Sequence, residues 1–237
     1  MKRLAAAAAF IALLPQPCGA QGDGAVARPE VKVGDRWTYR RMDYWTNRPT
    51  STYELRVTFV NDRSILVVAA EQGGVQADAS YTPEWNAIVS AFDQAVMSPD
   101  SGLFRFPLRP GSRHASTFQV DSTKRGGDAG GRAIQGVSTS SLDLEIKVAS
   151  WEEVVVPAGR FRALRIEAEG RLTRLQSFNP SGGPMPSSRG FARIVVWYAP
   201  EVRRWVKYTY DDSILQFAGL LSPNDRLGEE LVEFKLQ

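Results

Sequence analysis

Hydrophobic and polar residues alternate one for one along much of this chain. The alternation is regular over residues 53–59 and 142–148, where charged or hydroxylated side chains separate the apolar ones. Successive side chains of a β-strand point to opposite faces, so a period of two is typical of strands with one buried face. Further strands are predicted at 65–68, 193–198, 205–210, 213–217 and 231–236.

The stretch VVVPAGRFRALRIEAEG, residues 154–170, predicts a hairpin. Pro157 fixes φ for the first turn position and Gly159 supplies a left-handed residue, which together favour a three-residue loop with a bulge. In that register Trp151 lies opposite Arg165, whereas a slip of one residue pairs Glu152 with Arg165 instead. The loop brings no nucleophile, base or ligand, so it is interpreted as a corner of the fold.

Four other segments bear on the architecture. A second hairpin is predicted around Pro200, and residues 125–141 and 178–190 are rich in turn formers, which favours long hairpin loops. Residues 82–96 are ambiguous, because the sequence fits both a helix start and a turn between two strands. Taken together, the pattern predicts an all-β antiparallel meander that forms a strongly curved sheet or open barrel, with at most one short helix.

The first twenty residues have the features of a signal peptide. A basic start at Lys2 and Arg3 precedes an apolar run over residues 4–14, and Cys18-Gly19-Ala20 ends in small residues. The run is shorter than the ~20 residues that span a bilayer. We therefore expect cleavage before Gln21 and a periplasmic or secreted protein, with no transmembrane segment in the mature chain. Lipid anchoring at Cys18 is the alternative, which the preceding Gln-Pro disfavours.

The mature chain is expected to contain a disordered segment over residues 21–30 and one β-rich domain over 31–237. Cys18 is the only cysteine, so cleavage leaves no disulfide, thiolate nucleophile or sulfur-ligated metal. The net charge of +3 falls to +1 when Lys2 and Arg3 leave with the signal. Because acids and bases are interleaved along the strands, no nucleic-acid partner is expected.

Candidate chemistry is sparse. His114 is the only histidine, which excludes a multi-histidine metal site, and the sequence contains no hydrolase, phosphate-loop or zinc-protease motif. No catalytic residue, cofactor or metal is therefore predicted. Adjacent acid pairs keep a carboxylate-based hydrolase of envelope glycans open as an alternative, although neighbours on a strand point to opposite faces. These pairs are Glu152-Glu153, Asp211-Asp212 and Glu229-Glu230.

Large aromatic residues are concentrated in the predicted strands. Rings of this size either fill the core or line a concave face that binds an apolar ligand. The candidates for such a ligand face are Trp37, Tyr39, Trp151, Trp197, Tyr198, Trp205 and Tyr208.

Several motifs resemble a known family. They are VGDRWTYR, FRFPLRPGSRH, EEVVVPAGRFRALRIE, VVWYAPEVRRWVKY and the closing ELVEFKL. Over residues 31–237 the chain is similar to the exported, uncharacterised TapB-like proteins of Gram-negative bacteria, a domain of unknown function. The resemblance implies a β-rich periplasmic protein and no known activity. The chain has His114 where the family usually has tryptophan, and Arg203 where it usually has glycine, so the turn at Arg203 is expected to differ.

The leading hypothesis is a non-catalytic periplasmic binding or accessory protein. Its partner would be a lipid or another apolar small molecule held on the concave face, or else an envelope protein. A purely structural or assembly role is the remaining alternative, and it would require the concave face to be filled by side chains.

Overall fold

Twelve antiparallel strands form the part of the chain that the computed structural model describes, which is residues 24–127, 133–176, 187–215 and 221–237. Each strand pairs with the next one along the sequence, and β12 pairs back onto β1, so the sheet closes into a barrel. The predicted all-β antiparallel meander is confirmed. The strands are β1 Arg36–Asp43, β2 Arg48–Val60, β3 Ile65–Glu71, β4 Gln76–Tyr81, β5 Ala87–Val89, β6 Val96–Ser98, β7 Arg113–Gly127, β8 Ala133–Val156, β9 Gly159–Gln176, β10 Ser188–Ala199, β11 Arg204–Leu215 and β12 Leu221–Lys235.

A short 3₁₀ helix, Pro200–Val202, connects β10 to β11 and forms the second predicted hairpin. The described ranges contain no α-helix. They also contain no helix with the length and apolar character needed to cross a membrane.

The alternation read from the sequence separates the inside of the barrel from the outside. On β2, Tyr53, Leu55 and Val57 are buried, while Arg56 between them and Thr58 after them are exposed. The other long strands repeat this arrangement, so apolar side chains from all around the barrel share one interior.

The two ends of the barrel differ. The turn at residues 82–86, the segment 99–112 and the 3₁₀ helix lie at one end, which we call the closed end. Trp85, Phe104 and Val202 from these three connections are almost completely buried there. The connections at residues 44–47, 72–75 and 90–95 lie at the opposite end, which we call the open end.

Glycines mark places where neighbouring strands approach closely. A Cβ on Gly170 would lie 1.8 Å from the carbonyl oxygen of Asp143, and one on Gly190 would lie 1.8 Å from that of Ser213. Glycine inside a strand is typical of sharp bends in barrels, where a side chain has no room. These positions let the long strands β8 to β11 curve around the interior.

The hairpin at Pro157 differs in register from the prediction. Val156 pairs with Gly159, so the loop has two residues rather than three, and Gly159 still carries a positive φ of 134°. Trp151 lies opposite Leu164 rather than Arg165. The physical reason is the shorter loop: pairing continues without a break from Val156 and Gly159 to Trp151 and Leu164, and the irregularity between Val148 and Trp151 lies farther from the turn.

Two of the segments predicted as loops contain more strand than expected. Strand β7 continues to Gly127 and β8 starts at Ala133, inside the predicted loop 125–141, and residues 128–132 lie outside the described ranges. Strand β10 starts at Ser188, within the second predicted loop. Polar and glycine-rich strands form here because each pairs with a neighbour along its length, which satisfies the backbone hydrogen-bonding groups.

Residues 82–96 form a turn and a strand pair rather than a helix, which is the second of the two structures that the sequence allowed. Thr82 accepts a backbone hydrogen bond from Trp85, the chain reverses, and β5 then pairs with both β4 and β6. This hairpin brings Trp85 into the closed end of the barrel.

The N-terminal segment is partly ordered. Residues 21–30 were expected to be disordered, but Val26 exchanges backbone hydrogen bonds of 2.8 and 2.9 Å with Leu108 and is buried. Val26 is apolar within a polar stretch, so burying it ties this segment to the barrel. The predicted signal peptide, residues 1–20, lies outside the described ranges.

Arg203 adopts the positive-φ conformation that its side chain was expected to prevent. It ends the 3₁₀ helix with φ at 59° and donates a 3.2 Å hydrogen bond to the buried carboxylate of Asp35. The same carboxylate accepts backbone hydrogen bonds from Lys32 and Gln237. These contacts at Asp35 help to offset the conformational cost of a non-glycine residue in the left-handed region.

Candidate functional site

A cavity of about 670 Å³ lies inside the barrel. Its walls are mainly aromatic and aliphatic, with Phe118, Leu142 and Ile194 on the strands and Phe92 in the β5–β6 connection. A twelve-stranded barrel is wider than the eight-stranded barrels that side chains can fill. The interior is therefore not completely packed, and the space has the size of an ordinary small-molecule pocket.

The floor of the cavity is formed by the 82–86 turn at the closed end. Trp85 is buried, has a positive φ of 69°, and donates a 2.9 Å hydrogen bond from its indole nitrogen to the carbonyl of Arg203. A bulky residue in the left-handed region is strained, and such strain persists only where surrounding contacts fix it. The turn and the β10–β11 connection thus hold one another in place.

Arg204 is the most unusual residue of the floor. Its side chain is fully buried, and none of its three guanidinium nitrogens has a hydrogen-bond partner within the described ranges. Five aromatic rings surround the guanidinium carbon instead. The distances from this carbon to the ring centroids are 3.8 Å for Trp205, 4.1 Å for Trp85, 4.9 Å for Tyr81, 5.5 Å for Trp37 and 5.9 Å for Tyr39.

Cation–π attraction to these rings stabilises the charge but does not replace hydrogen bonds. A desolvated contact of this kind contributes about 2 kcal/mol, whereas an arginine has five N–H donors to satisfy. The phenol groups of Tyr81 and Tyr39 are close enough to interact with the guanidinium, but neither forms a hydrogen bond of normal geometry with it. The floor therefore holds a permanent cation with unused donors.

The two arginines that line the cavity, Arg41 and Arg174, are paired. Arg41 forms a 2.7 Å ion pair with Glu71, and its guanidinium lies 4.3 Å from the centroid of the Phe92 ring. Arg174 forms a 2.9 Å ion pair with the buried carboxylate of Asp212. These charges lie toward the open end and are neutralised where they stand.

Glu229 places a carboxylate in the cavity wall between the floor and the open end. Burial raises the pKa of Tyr39, Tyr53 and Tyr208, and the Glu229 carboxylate raises each of the three further. The phenols therefore keep their protons over the whole physiological range. Tyr53 and Tyr208 line the cavity, whereas Tyr39 donates its hydroxyl proton to the backbone carbonyl of Trp205 at 2.6 Å.

The predicted ligand-face residues lie in three places. Trp205 and Tyr208 line the cavity. Trp37, Tyr39 and Tyr198 are buried in the core at the closed end, and the first two contact Arg204. Trp151 lies beneath Arg162, and Trp197 donates a 2.9 Å hydrogen bond to Glu152; both are half-buried, and neither lines the cavity.

Sequence reasoning missed Arg204 because strand alternation fails locally. The pairing of β10 with β11 shifts between Trp197 and Tyr198, so that Arg204, Trp205 and Val206 are all buried in succession. A strict period of two would have placed one of these three on the outside. The sequence contains one local indication that this turn is buried, which is the tryptophan on each side of Pro200, Trp197 and Trp205.

The acid pairs considered for hydrolysis point to opposite sides, as expected for neighbours on a strand. Five of the six acids form ion pairs: Glu152 with Arg165, Glu153 with Arg160, Asp211 with Arg226, Asp212 with Arg174, and Glu230 with both Arg40 and Lys207. Within the described ranges, no group of three or more His, Cys, Asp and Glu residues is arranged to hold a metal ion.

A second concavity, of about 930 Å³, lies on the outer surface of β7 to β10. Its lining alternates in charge, with Glu145 and Glu167 next to Lys147 and Arg171. It also includes His114, whose ring is hydrogen-bonded to the carbonyl of Gly102 at 2.9 Å. This outer groove is larger but offers no enclosed apolar surface, so the interior cavity is the better candidate site.

Comparisons with known proteins give distant structural similarities. No family model matches the chain, and none of the curated proteins matches it either. The resemblance to TapB-like proteins therefore stays a prediction.

Three solved structures from Gram-negative bacteria are similar to the barrel. One, described as an exported protein with a YmcC-like fold from Bacteroides fragilis, is 14% identical with a TM-score of 0.38, covering 90% of this chain and 100% of its own. A protein described as a lipoprotein from Parabacteroides distasonis is 11% identical with a TM-score of 0.42, over the same shares. The hypothetical lipoprotein YmcC from Escherichia coli is 8% identical with a TM-score of 0.40, covering 84% of this chain and 83% of its own.

Proposed function

We propose that this chain is a non-catalytic binding protein that holds an apolar or amphiphilic molecule inside its barrel. The observation that carries the proposal is the 670 Å³ interior cavity, whose walls are aromatic and aliphatic. Apolar surface of this kind gains free energy when a ligand displaces water from it, at about 25 cal/mol per Å². The residues 1–20, with their signal-peptide pattern, support a periplasmic location for this binding.

The walls also support the choice of an apolar ligand over a polar one. Most of the charged groups near the cavity already have partners, since Arg41 pairs with Glu71 and Arg174 with Asp212. Affinity in such a site comes mainly from burial, and a few polar groups fix orientation. Among the described residues, no set of side chains supports hydrolysis or group transfer as the cavity walls support binding.

Binding is tested with N-phenyl-1-naphthylamine, an uncharged apolar probe whose emission rises when it leaves water. The wild-type chain is expected to bind it with saturation. Ala91 lines the cavity, so Ala91→Trp should fill the space and weaken probe binding by about tenfold or more, which corresponds to about 1.4 kcal/mol.

The matched control is Arg56→Trp, which adds the same ring to an exposed position on the outside of β2. This variant should bind the probe like the wild type. Equal binding by both variants, or no saturable binding by the wild type, would contradict the proposal. Native mass spectrometry of protein purified from its own periplasm then identifies what it carries: a co-purifying lipid supports the proposal, and an envelope protein alone would favour the accessory role instead.

A further inference from the structure

The cavity floor contains a charge that has no hydrogen-bonded or acidic partner in the part of the chain that the structure describes. Arg204 is fully buried, its three nitrogens lack hydrogen-bond partners in the described ranges, and the surrounding groups are ring faces. Unpaired donors on a buried charged group cost free energy. That free energy would be recovered if the charge were removed or paired with an anion. A buried arginine in this condition requires an explanation.

Arg204 differs in this respect from the arginines higher in the barrel. Arg41 and Arg174 each hold a carboxylate at hydrogen-bonding distance, at 2.7 and 2.9 Å. Among the described residues, an acid pairs with each arginine toward the open end and none forms an ion pair with Arg204; the Glu229 carboxylate in the cavity wall acts on Tyr39 and Tyr53 instead. A bound anion would supply the missing partner.

The guanidinium is within reach of a molecule in the cavity. Trp205, Trp85 and Tyr81 contact Arg204 and also line the cavity, so a single layer of side chains separates the charge from the space. Tyr81 and Trp205 are 9% and 8% exposed, whereas Arg204 is fully buried behind them. Contact between a ligand and the guanidinium therefore requires one of these rings to move aside.

We infer that the ligand is a single-chain amphiphile with an anionic head group, a carboxylate or a phosphate, which binds head-first with its head at Arg204 and its chain along the apolar wall. This inference rests on the proposed function. A planar guanidinium matches a carboxylate or phosphate through two parallel hydrogen bonds, which is the strongest neutralising contact available to it. The phenol groups of Tyr53 and Tyr81 lie in the same wall, and a phenol O–H can donate a further hydrogen bond.

Isothermal titration with chain-matched ligands tests the head group. Hexadecanoate and hexadecyl phosphate are compared with hexadecanol, which has the same chain and no charge. The wild type should bind at least one anion on the order of tenfold more tightly than the alcohol, since charge-assisted hydrogen bonds have that effect. The stronger of the two anions identifies the head group as carboxylate or phosphate.

The matched variants are Arg204→Met, which keeps the length of the side chain without its charge, and Arg204→Lys, which keeps the charge. Arg204→Met should lose the preference for the anion and still bind hexadecanol, which shows that the barrel is intact. Arg204→Lys should retain part of the preference. An unchanged preference in Arg204→Met would overturn the inference.

Orientation gives an independent readout. Bromine quenches nearby tryptophan, and Trp37, Trp85 and Trp205 surround Arg204. Hexadecanoate brominated next to the carboxylate should quench more strongly than the acid brominated at the far end, and the reverse order would contradict head-first binding. If wild type binds acid and alcohol equally, only this inference fails; if it binds neither the chain-matched ligands nor the naphthylamine probe, the proposed function fails.

Discussion

Arg203 shows how a single residue can stand in a conformation that its type disfavours. Its sequence position predicted a different turn, because glycine is the residue that adopts a positive φ freely. The structure keeps the turn and pairs the arginine with the buried carboxylate of Asp35. This compensation involves residues 168 positions apart along the chain, so nothing local in the sequence could have indicated it.

Replacing Arg203 separates the two effects. Arg203→Ala loses the ion pair and keeps the unfavourable backbone, whereas Arg203→Gly loses the ion pair and relieves the backbone. Both should lower the free energy of unfolding, with alanine lower than glycine by about 1 kcal/mol. Urea denaturation of both variants measures this difference, and an alanine variant as stable as the glycine variant would show that the turn is not strained.

His114 should make stability depend on pH near neutrality. Burial lowers its pKa in the folded chain, since burial disfavours the charged ring and Arg105 lies nearby. The unfolded chain, with an ordinary histidine pKa of about 6.5, then binds more protons than the folded chain as the pH falls. The contribution of the neutral His114 ring to the free energy of unfolding is complete above pH about 6.5. It is lost as the pH decreases toward the pKa that His114 has in the folded chain.

The measurement compares wild type with His114→Gln by urea denaturation at several pH values. The wild type should lose stability relative to the variant between neutral and mildly acidic pH. Parallel curves for the two proteins would show that His114 does not titrate differently on folding.

Strands were the elements that the sequence predicted best. A period of two is a local property, so the strands around residues 53–59 and 142–148 could be recognised from their own residues. Their partners could not, because register depends on bulges such as the one between Val148 and Trp151. The buried position of Arg204 could not be predicted for the same reason, because the bulge between Trp197 and Tyr198 depends on how two strands pair.

The bends of the long strands can be tested at Gly170. Gly170→Ala places a Cβ against the backbone of Asp143, which cannot move without breaking the β8–β9 pairing. We expect the free energy of unfolding to fall by at least about 2 kcal/mol. The control is Gly73→Ala, whose Cβ would meet no atom within 4 Å but whose positive φ adds conformational strain. Equal losses in thermal or urea unfolding would show that the close approach at Gly170 is not a constraint.

Closure between the first and last strands determines the shape of the whole molecule. Arg40 lies directly opposite Glu230 at this seam. In a Cys18→Ser background, Arg40→Cys with Glu230→Cys should form a disulfide, and oxidation should raise the free energy of unfolding by about 4 kcal/mol, because the crosslink closes a very long loop.

The control for this seam is Arg40→Cys with Glu233→Cys. Glu233 pairs with Thr38 instead, so its cysteine lies out of register with residue 40. This pair should crosslink poorly. Equal crosslinking by both pairs, or none by the matched pair, would contradict the closed barrel. Gel electrophoresis under reducing and non-reducing conditions measures how much of each pair is crosslinked. Urea unfolding then measures the change in the free energy of unfolding on oxidation.

The same seam sets the order in which the chain can fold. The backbone of Gln237 donates to Asp35 across 202 residues of sequence, and β1 has its second partner only when β12 is available. Contacts of such long range make folding slow, and strands that wait for a partner are prone to pair with other chains. Until the last strand arrives, the aromatic interior is also open to solvent. The interval between synthesis and closure is therefore the stage at which this fold is most exposed to aggregation.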